Sequence, residues 1–215
     1  KKTCNNEKIG TAGFFTWLAN AFAFIPKTGA EIGISQSIGR KNNKDIKGYV
    51  KNTIQLDVVL GFIYGIVMIV LRKQLIGFFK LNSEYVVNMA ENYLLIISLG
   101  MVFYLITPVF TGIFNGYGDS KTPFKINTIG ILMNMIMDPF LIFGIGPFPR
   151  LEVVGAAIGT IVSQAAADAL FLYEIKKKTK LLDNISLLKK MDKFYIKRIF
   201  KLGTPVALQN GFFCI

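Results

Sequence analysis

The chain has 215 residues, of which 52% are hydrophobic, and its 25 Lys and Arg against 13 Asp and Glu give a net charge of +12. This hydrophobicity, with 19 Phe, excludes intrinsic disorder, which requires a chain too polar to collapse. The absence of histidine excludes Ser-His nucleophile activation, HExxH metal sites and haem ligation by imidazole. Cys4 and Cys214 stand near opposite ends and form no CxxC motif. We therefore predict neither an enzyme nor a bound cofactor.

The charged residues fall in clusters, and the apolar stretches between them have about the 20 residues that a helix needs to cross a bilayer. Five such stretches occupy residues 9–39, 53–71, 92–118, 126–145 and 153–173, and a sixth begins at residue 202. The sequence thus predicts an all-α, polytopic membrane helical bundle. The stretch 153–173 is rich in Gly and Ala, which predicts close helix packing in lipid. A start without Met and an end inside an apolar run indicate a fragment.

Lys and Arg are distributed unevenly between the two sides of the predicted bundle. The connections 40–51, 121–125 and 176–201 hold 17 of them, and the connections on the other side hold 7. Because basic loops stay in the cytoplasm, the first group is predicted to face inward. We expect the basic segment 176–201 to lie on anionic membrane lipid or to be a solvated linker. Nucleic-acid binding is not predicted, since the basic residues flank membrane segments.

Asp138 is the strongest candidate for a functional residue inside a span, where an ionisable side chain is costly. Asn134 lies one helical turn earlier and shares its face. Pro139 removes a backbone donor and leaves the carbonyl of Met135 available beside the carboxylate. These three groups predict a cation site. The alternative is a protonated Asp that caps a neighbouring helix.

The other charged residues inside the predicted spans are Lys27, Glu31, Asp57 and Asp168. Lys27 and Glu31 are four residues apart, which predicts an ion pair on one helix face. If the pair lines a water-filled cavity, Glu31 is instead a proton carrier or a contact for a cationic substrate. Asp57 is predicted to reach the lipid headgroups from an inner span end. Asp168 is equally compatible with a helix–helix contact and with a cavity.

The sequence Gly-Tyr-Gly-Asp at 116–119 matches the GxGD motif of intramembrane aspartyl proteases. Those proteases need two carboxylates that share a proton, and a Tyr-Asp partner motif within a span is absent from the sequence. The residues that follow, Ser-Lys-Thr-Pro at 120–123, have the composition of a tight turn. We therefore interpret this motif as a connection between two helices.

Four motifs in order carry a family resemblance: SQSIG at 35–39, NGYGDSKTP at 115–123, NMIMDPFLIFG at 134–144 and GAAIGTIVSQ at 155–164. Their order and spacing resemble the multidrug and toxin extrusion family, from its second helix into its seventh. The resemblance implies a twelve-helix transporter of two six-helix lobes. Residues 1–175 correspond to a partial N-terminal lobe with family helices 2 to 6. Residues 176–201 correspond to the cytoplasmic connector and residues 202–215 to the start of helix 7.

The resemblance also implies an activity and a site. Such proteins exchange Na⁺ or H⁺ for small organic cations or drugs across the plasma membrane, and we expect a monomer. In the family's first-lobe cation site, Asn134 and Asp138 match the fifth-helix residues, and the first-helix carboxylate lies outside this sequence. Thr107 and Thr160 are the nearest matches to the polar positions on the fourth and sixth helices. If the protein is sodium-coupled, Asp138 and Asn134 are the metal ligands.

Two alternatives remain within membrane proteins. Relatives in the same superfamily flip lipid-linked saccharides, and a basic cavity that contains Lys27 would suit a phosphate better than a cationic drug. Lys27 and Glu31 are not a general feature of the extrusion family, and we retain both as candidate substrate contacts. A purely structural scaffold would leave a buried Asp beside Asn and Pro unexplained.

Overall fold

The computed structural model describes residues 22–78, 83–145, 149–179 and 190–212. The part of the first predicted span before residue 22 lies outside the described residues. Helix α1 covers residues 22–39. It is followed by α2 (Asn43–Phe78), α3 (Glu84–Leu99), α4 (Met101–Gly116), α5 (Lys121–Phe143), α6 (Glu152–Thr179) and α7 (Lys193–Phe212). These described ranges contain helices and no strand, which confirms the all-α prediction.

Three of the described helices, α2, α5 and α6, are long and apolar enough to cross a membrane. Helices α3 and α4 pass the same criterion together and are bent by 51° at their junction, so they make a fourth span if they cross as one. The predicted span 92–118 is therefore two helices. The bend falls at Gly100, whose φ of −90° and ψ of 6° interrupt the helical conformation. Pro108 lies inside α4 without ending it.

Large apolar side chains remain exposed on the outside of the bundle. On α2 they recur at the three- and four-residue spacing of a single helix face. On α5 they cover most of the helix, since few of its residues are buried. So much apolar surface is unfavourable in water and is suited to lipid. The exposed residues include Val59, Phe62, Ile63, Ile66, Val67 and Val70 of α2 and Ile131, Leu132, Met135, Ile136 and Phe143 of α5.

The core joins α2, α4 and α6. The ring of Phe171 on α6 stacks on Phe110 of α4, with 5.6 Å between centroids, and lies 5.8 Å from the ring of Phe114. All three rings are almost completely buried, and Val50 and Ile54 of α2 belong to the same cluster. Buried side chains from three helices thus fix the relative positions of the polar residues between them.

Helices α5 and α6 approach each other through small residues, as the composition of 153–173 predicts. A side chain at Gly155 would place its Cβ 2.5 Å from the carbonyl oxygen of Leu141. Nearer the other end, Gly130 faces Ala167, and an added Cβ would lie 3.3 Å from the Ala167 Cβ. Only residues without bulky side chains allow this distance between backbones.

The connection between α4 and α5 is the tight turn predicted from the GxGD segment. Gly118 has a φ of +81°, which a residue with a side chain rarely adopts. The Asp119 carboxylate accepts hydrogen bonds from the Thr122 backbone N–H at 3.0 Å and from the Thr122 hydroxyl at 2.7 Å. Asp119 therefore caps the first turn of α5.

Helix α7 begins before residue 202 and contacts the start of α2. The Tyr195 hydroxyl donates to the Asp45 carboxylate at 3.0 Å. The Asp192 backbone N–H donates to the side-chain oxygen of Asn52 at 2.7 Å. The residues between Thr179 and Lys190 lie outside the described ranges.

The tight α5–α6 contact leads to a stability prediction. Gly155→Ala should lower the free energy of unfolding by about 1–3 kcal/mol, because its Cβ meets backbone that must move. The matched control is Gly77→Ala in α2, where no described atom lies within 4 Å of an added Cβ and the helix should be unchanged or slightly more stable. Thermal unfolding of the purified protein, followed by size-exclusion chromatography, measures both. Equal midpoints for the two variants would contradict the packing.

Candidate functional site

Asn134 and Asp138 lie on the same face of α5, as their spacing predicts. The Asn134 side-chain amide donates a hydrogen bond to Asp138 Oδ1 at 3.2 Å. Both side chains are half-buried. Helix α5 continues through Pro139, which follows the acid directly and supplies no backbone donor. The pair therefore presents one carboxylate with a fixed amide neighbour inside the span.

Gly159 on α6 completes the immediate surroundings of Asp138. A Cβ at Gly159 would lie 2.7 Å from Asp138 Oδ1 and 3.6 Å from Asn134 Nδ2. The carboxylate thus rests against the α6 backbone, in space that any side chain would fill. Sequence reasoning treated Gly159 only as a packing residue. In the sequence, the feature that could have identified Gly159 is its position next to Thr160, a predicted site residue.

Thr160 lies next to this glycine, but its hydroxyl is engaged elsewhere. Its Oγ1 donates to the carbonyl of Ala156 on its own helix at 2.9 Å. Thr160 is thus beside the Asn134–Asp138 pair, and no described hydrogen bond joins it to that pair. Because this bond uses only the hydroxyl hydrogen, the oxygen lone pairs of Thr160 remain available to a cation.

Tyr93 brings α3 to the same site. It is close enough to Asp138 for an electrostatic interaction between the two side chains. Its ring is partly buried against a cluster that includes Met101 and Ala157. Tyr93 was not among the predicted site residues, because an aromatic residue in an apolar span is usually a core residue. Helices α3, α5 and α6 therefore all contribute to the surroundings of Asp138.

Thr107 occupies a different position from the one that the resemblance implies. Its Oγ1 lies 2.6 Å from Asp168 Oδ1 and 2.9 Å from Gln164 Oε1, both on α6. Asp168 follows Gly159 by nine residues, which corresponds to about 14 Å along a helix. The structure therefore places Thr107 beside Asp168, away from Asn134 and Asp138.

Lys27 and Glu31 do not form the predicted ion pair with each other. A described ion pair joins Arg150 and Glu152 at 3.2 Å, and none joins Lys27 to Glu31. The Lys27 ammonium instead lies 5.0 Å from the centre of the Phe24 ring, a cation–π distance. A shared helix face permits an ion pair but does not require one, because both side chains have other rotamers.

Lys27 lines a cavity of about 230 Å³ between α1, α4 and α5. This cavity also includes Thr107, Thr111 and Asn127, so its described polar lining consists of one cation, two hydroxyls and an amide. The remaining lining residues are Phe24 and Pro108. The Lys27 candidate is therefore placed in a polar cavity, whereas Glu31 is not among the residues that line it.

The prediction that Asp57 reaches the headgroups is wrong. Its side chain is 0% exposed. Helix α2 begins at Asn43, ten residues before the predicted start of the span, so Asp57 lies well inside the helix rather than near its end. Asp168 is also buried, and its hydrogen bond to Thr107 is a helix–helix contact.

The donor set at Asp138 suits a hard cation. Carboxylate and amide oxygens are ligands for Na⁺, and the carboxylate is also a proton acceptor. Within the described ranges, no group of three or more His, Cys, Asp and Glu side chains is placed to hold a metal ion. Asn134 and Asp138 alone could therefore supply only part of the ligands that such a cation needs. Together, the fold and this pair define a helical membrane protein with a polar site between its spans.

The family is shown by the match of the MatE family model to residues 9–140, more than half of the chain. The chain belongs to the MatE family. Over 205 residues it is 27% identical to the probable multidrug resistance protein NorM of Thermotoga maritima, covering 95% of this chain and 44% of that protein. Over 186 residues it is 30% identical to the multidrug export protein MepA of Staphylococcus aureus, covering 85% of this chain and 39% of that protein.

Solved structures show the same fold. A crystal structure of MATE in the bent conformation superposes with a TM-score of 0.82 at 22% identity, covering 94% of this chain and 44% of that one. The chain therefore spans less than half the length of these relatives.

The two threonines give a second prediction. Thr107→Val should destabilise the protein by about 1–3 kcal/mol, because it removes the hydroxyl that is hydrogen-bonded to buried Asp168. Thr160→Val is the isosteric control and should cost less than about 1 kcal/mol, because its hydroxyl bonds only to a helical carbonyl that is already paired. Thermal unfolding midpoints compare the two. A larger loss for Thr160→Val would contradict the placement of Thr107.

Proposed function

We propose that the protein containing this chain is a secondary active transporter, which exports organic cations or drugs in exchange for Na⁺ or H⁺. The observation that carries this proposal is the Asp138 carboxylate, held by Asn134 and resting on the α6 backbone at Gly159. An ionisable residue maintained inside a span usually serves an ion or substrate pathway. The names of the two relatives, a multidrug resistance and a multidrug export protein, favour a drug over a lipid-linked saccharide.

Coupling follows from competition for one carboxylate. A proton or Na⁺ bound at Asp138 neutralises its charge and weakens the attraction for a cationic drug. By thermodynamic linkage, the drug weakens ion binding by the same factor. Each ligand therefore promotes release of the other, which is the requirement for antiport. The Asn134 amide fixes the carboxylate orientation in either state.

Glycine at position 159 lets the ion reach the carboxylate from the α6 side. With no side chain there, Asp138 Oδ1 faces the α6 backbone directly. An ion at Asp138 would draw further oxygen ligands from this segment. The site then depends on two helices, so a change in their packing changes the affinity for the ion.

The remaining expectations belong to the same proposal. We expect the protein to work as a monomer in the plasma membrane, without an organic cofactor and without enzymatic activity. MatE relatives are transporters, and the GxGD-like Asp119 is engaged in capping α5. The membrane lipid is then both solvent and partner for the exposed apolar faces of α2 and α5.

Neutralising the acid tests the proposal. Asp138→Asn should reduce gradient-driven efflux of a fluorescent organic cation by at least about tenfold, because ion and drug no longer compete for a charge. The assay uses proteoliposomes of the full-length protein, with Na⁺ and pH gradients imposed separately. Glu84→Gln, at the exposed start of α3, is the control for loss of an acid. Full efflux in Asp138→Asn would remove the basis of the proposal.

A second variant tests the space between Gly159 and the Asp138 carboxylate without altering any charge. Gly159→Ala should also reduce coupled efflux by about tenfold, because its Cβ takes the space beside Asp138 Oδ1. The matched control is Gly130→Ala in α5, whose Cβ would lie 3.3 Å from the Ala167 Cβ and 3.8 Å from the Ser163 carbonyl oxygen. Both variants are compared in the same proteoliposomes. Equal efflux in the two variants would show that the space at Gly159 is not used.

A further inference from the structure

Two further acids, Asp57 and Asp168, are buried deeper in the bundle than Asp138. Asp57 is 0% exposed and Asp168 is 4% exposed. Both carboxylate oxygens of Asp57, and Oδ2 of Asp168, are buried without a hydrogen-bond partner among the described residues. Burying an ionised carboxylate without donors is strongly unfavourable. These atoms therefore require a compensating positive charge or proton.

An unpartnered hydroxyl lies on the same face as Asp57. Thr53 precedes Asp57 by one helical turn, is 0% exposed, and its Oγ1 has no partner in the described structure. Unlike the two acids, this group is neutral, so its burial is an independent sign of a polar site. Its hydroxyl can donate to a carboxylate and also accept from a proton donor.

The register of the helices brings Asp57 to the level of Thr107 and Asp168. Because α2 and α4 are antiparallel, moving back along α2 corresponds to moving forward along α4. Asp57 therefore lies level with Ile106, the neighbour of Thr107, and Thr107 contacts Asp168 on α6. The charges of Asp57 and Asp168 act on each other. The contacts that fix the register are Gly61 with Val102 and Gly65 with Ser98.

Too many acceptors surround the Thr107 hydroxyl for the protons available. Its Oγ1 lies 2.6 Å from Asp168 Oδ1, 2.9 Å from Gln164 Oε1 and 3.1 Å from the Phe103 carbonyl oxygen. A hydroxyl has one hydrogen to donate. If Asp168 carries a proton, its carboxyl donates to Thr107, and the Thr107 hydrogen is free for Gln164. One added proton thus satisfies the short contact to Asp168.

We propose that Asp57 and Asp168 form a second proton-binding site, separate from Asn134 and Asp138, and that the pair holds one proton in this packing. The bond formed is a carboxyl O–H; the proton comes from hydronium in the bulk solvent, whose O–H bond breaks to leave water. Thr107 also lines the 230 Å³ cavity, so its hydroxyl connects the pair with that polar space. This inference goes beyond the proposed function, because it concerns a different pair of acids.

Among the described ionisable groups, Asp168 is the one whose charge acts on Asp57. Lys27 shares the cavity with Thr107 and rests on Phe24. Further groups on packed elements are Glu31 of α1, Tyr93 of α3, Tyr104 of α4, Asp138 of α5, Glu174 six residues beyond Asp168 on α6, and Asp192 and Tyr195 beside α2 near Asn52 and Asp45.

The site would respond to pH through repulsion between the two acids. With one proton on the pair, a single negative charge remains and α2, α4 and α6 can pack as observed. Loss of that proton leaves two buried charges that repel each other, which favours separation of α2 from α6. Proton release would then loosen the packing at a level about 14 Å from Asp138 along α6.

Infrared difference spectroscopy of the full-length protein in lipid tests this site. Wild type at about pH 6, where exposed carboxyls are ionised, should show the carbonyl stretch of a protonated carboxyl, and raising the pH should abolish it. Asp57→Asn and Asp168→Asn should each remove this band, because the remaining acid has no charged partner and gains an amide donor. Asp138→Asn should keep the band. This control separates the two claims. The infrared band tests the inference, whereas efflux by Asp138→Asn tests the proposed function.

Labelling with ¹³C-aspartate provides a test that needs no variant. The band of the wild-type protein should shift to lower frequency, which assigns it to Asp even if a variant does not fold. An absent band, an unshifted band, or a band that survives both substitutions in Asp138→Asn protein, where Asp138 cannot contribute, would overturn the proposal. Loss of the band on adding NaCl at constant pH, with choline chloride without effect, would also overturn it and identify Na⁺ as the occupant.

Discussion

The close contact between α5 and α6 is the constraint on which the site depends. Lipid supplies no hydrophobic force between helices, so their association relies on packing and on polar contacts. At Gly155 and Gly159 the two backbones approach so closely that an added Cβ would meet a Leu141 carbonyl or the Asp138 carboxylate. The same absence of side chains therefore both holds the helices together and leaves room for an acid between them. A larger residue at either position would alter packing and chemistry at once.

Much of the fold is predictable because it follows from local rules. The length of the apolar stretches identifies the spans, and the composition of 116–123 identifies the turn that Gly118 and Asp119 form. The Asn134–Asp138 contact is also local, since two residues four apart on one helix must share a face. Four motifs in order then identify the family, whose model matches residues 9–140. None of these inferences requires knowledge of how one helix sits against another.

The features that sequence reasoning missed depend on packing between helices. Thr107 was assigned to Asp138, yet the α4–α6 register places it at Asp168, about three turns away along α6. Asp57 was assigned to the headgroups, because nothing in its neighbourhood shows that α2 begins at Asn43. Lys27 and Glu31 share a face, but the rotamer of Lys27 places its ammonium over Phe24. The register of one helix against another, the residue at which a helix begins, or the choice of a rotamer decides each of these cases.

The bend at Gly100 lies between the parts of α3 and α4 that reach the two polar sites. Tyr93, which interacts electrostatically with Asp138, precedes the bend by seven residues. Thr107, which is hydrogen-bonded to Asp168, follows it by seven. Each of these segments is therefore about 10 Å long. Gly100 itself packs directly against the Ile161 side chain of α6. A change in the 51° angle would therefore move Tyr93 and Thr107 relative to each other, and with them the surroundings of Asp138 and of Asp168.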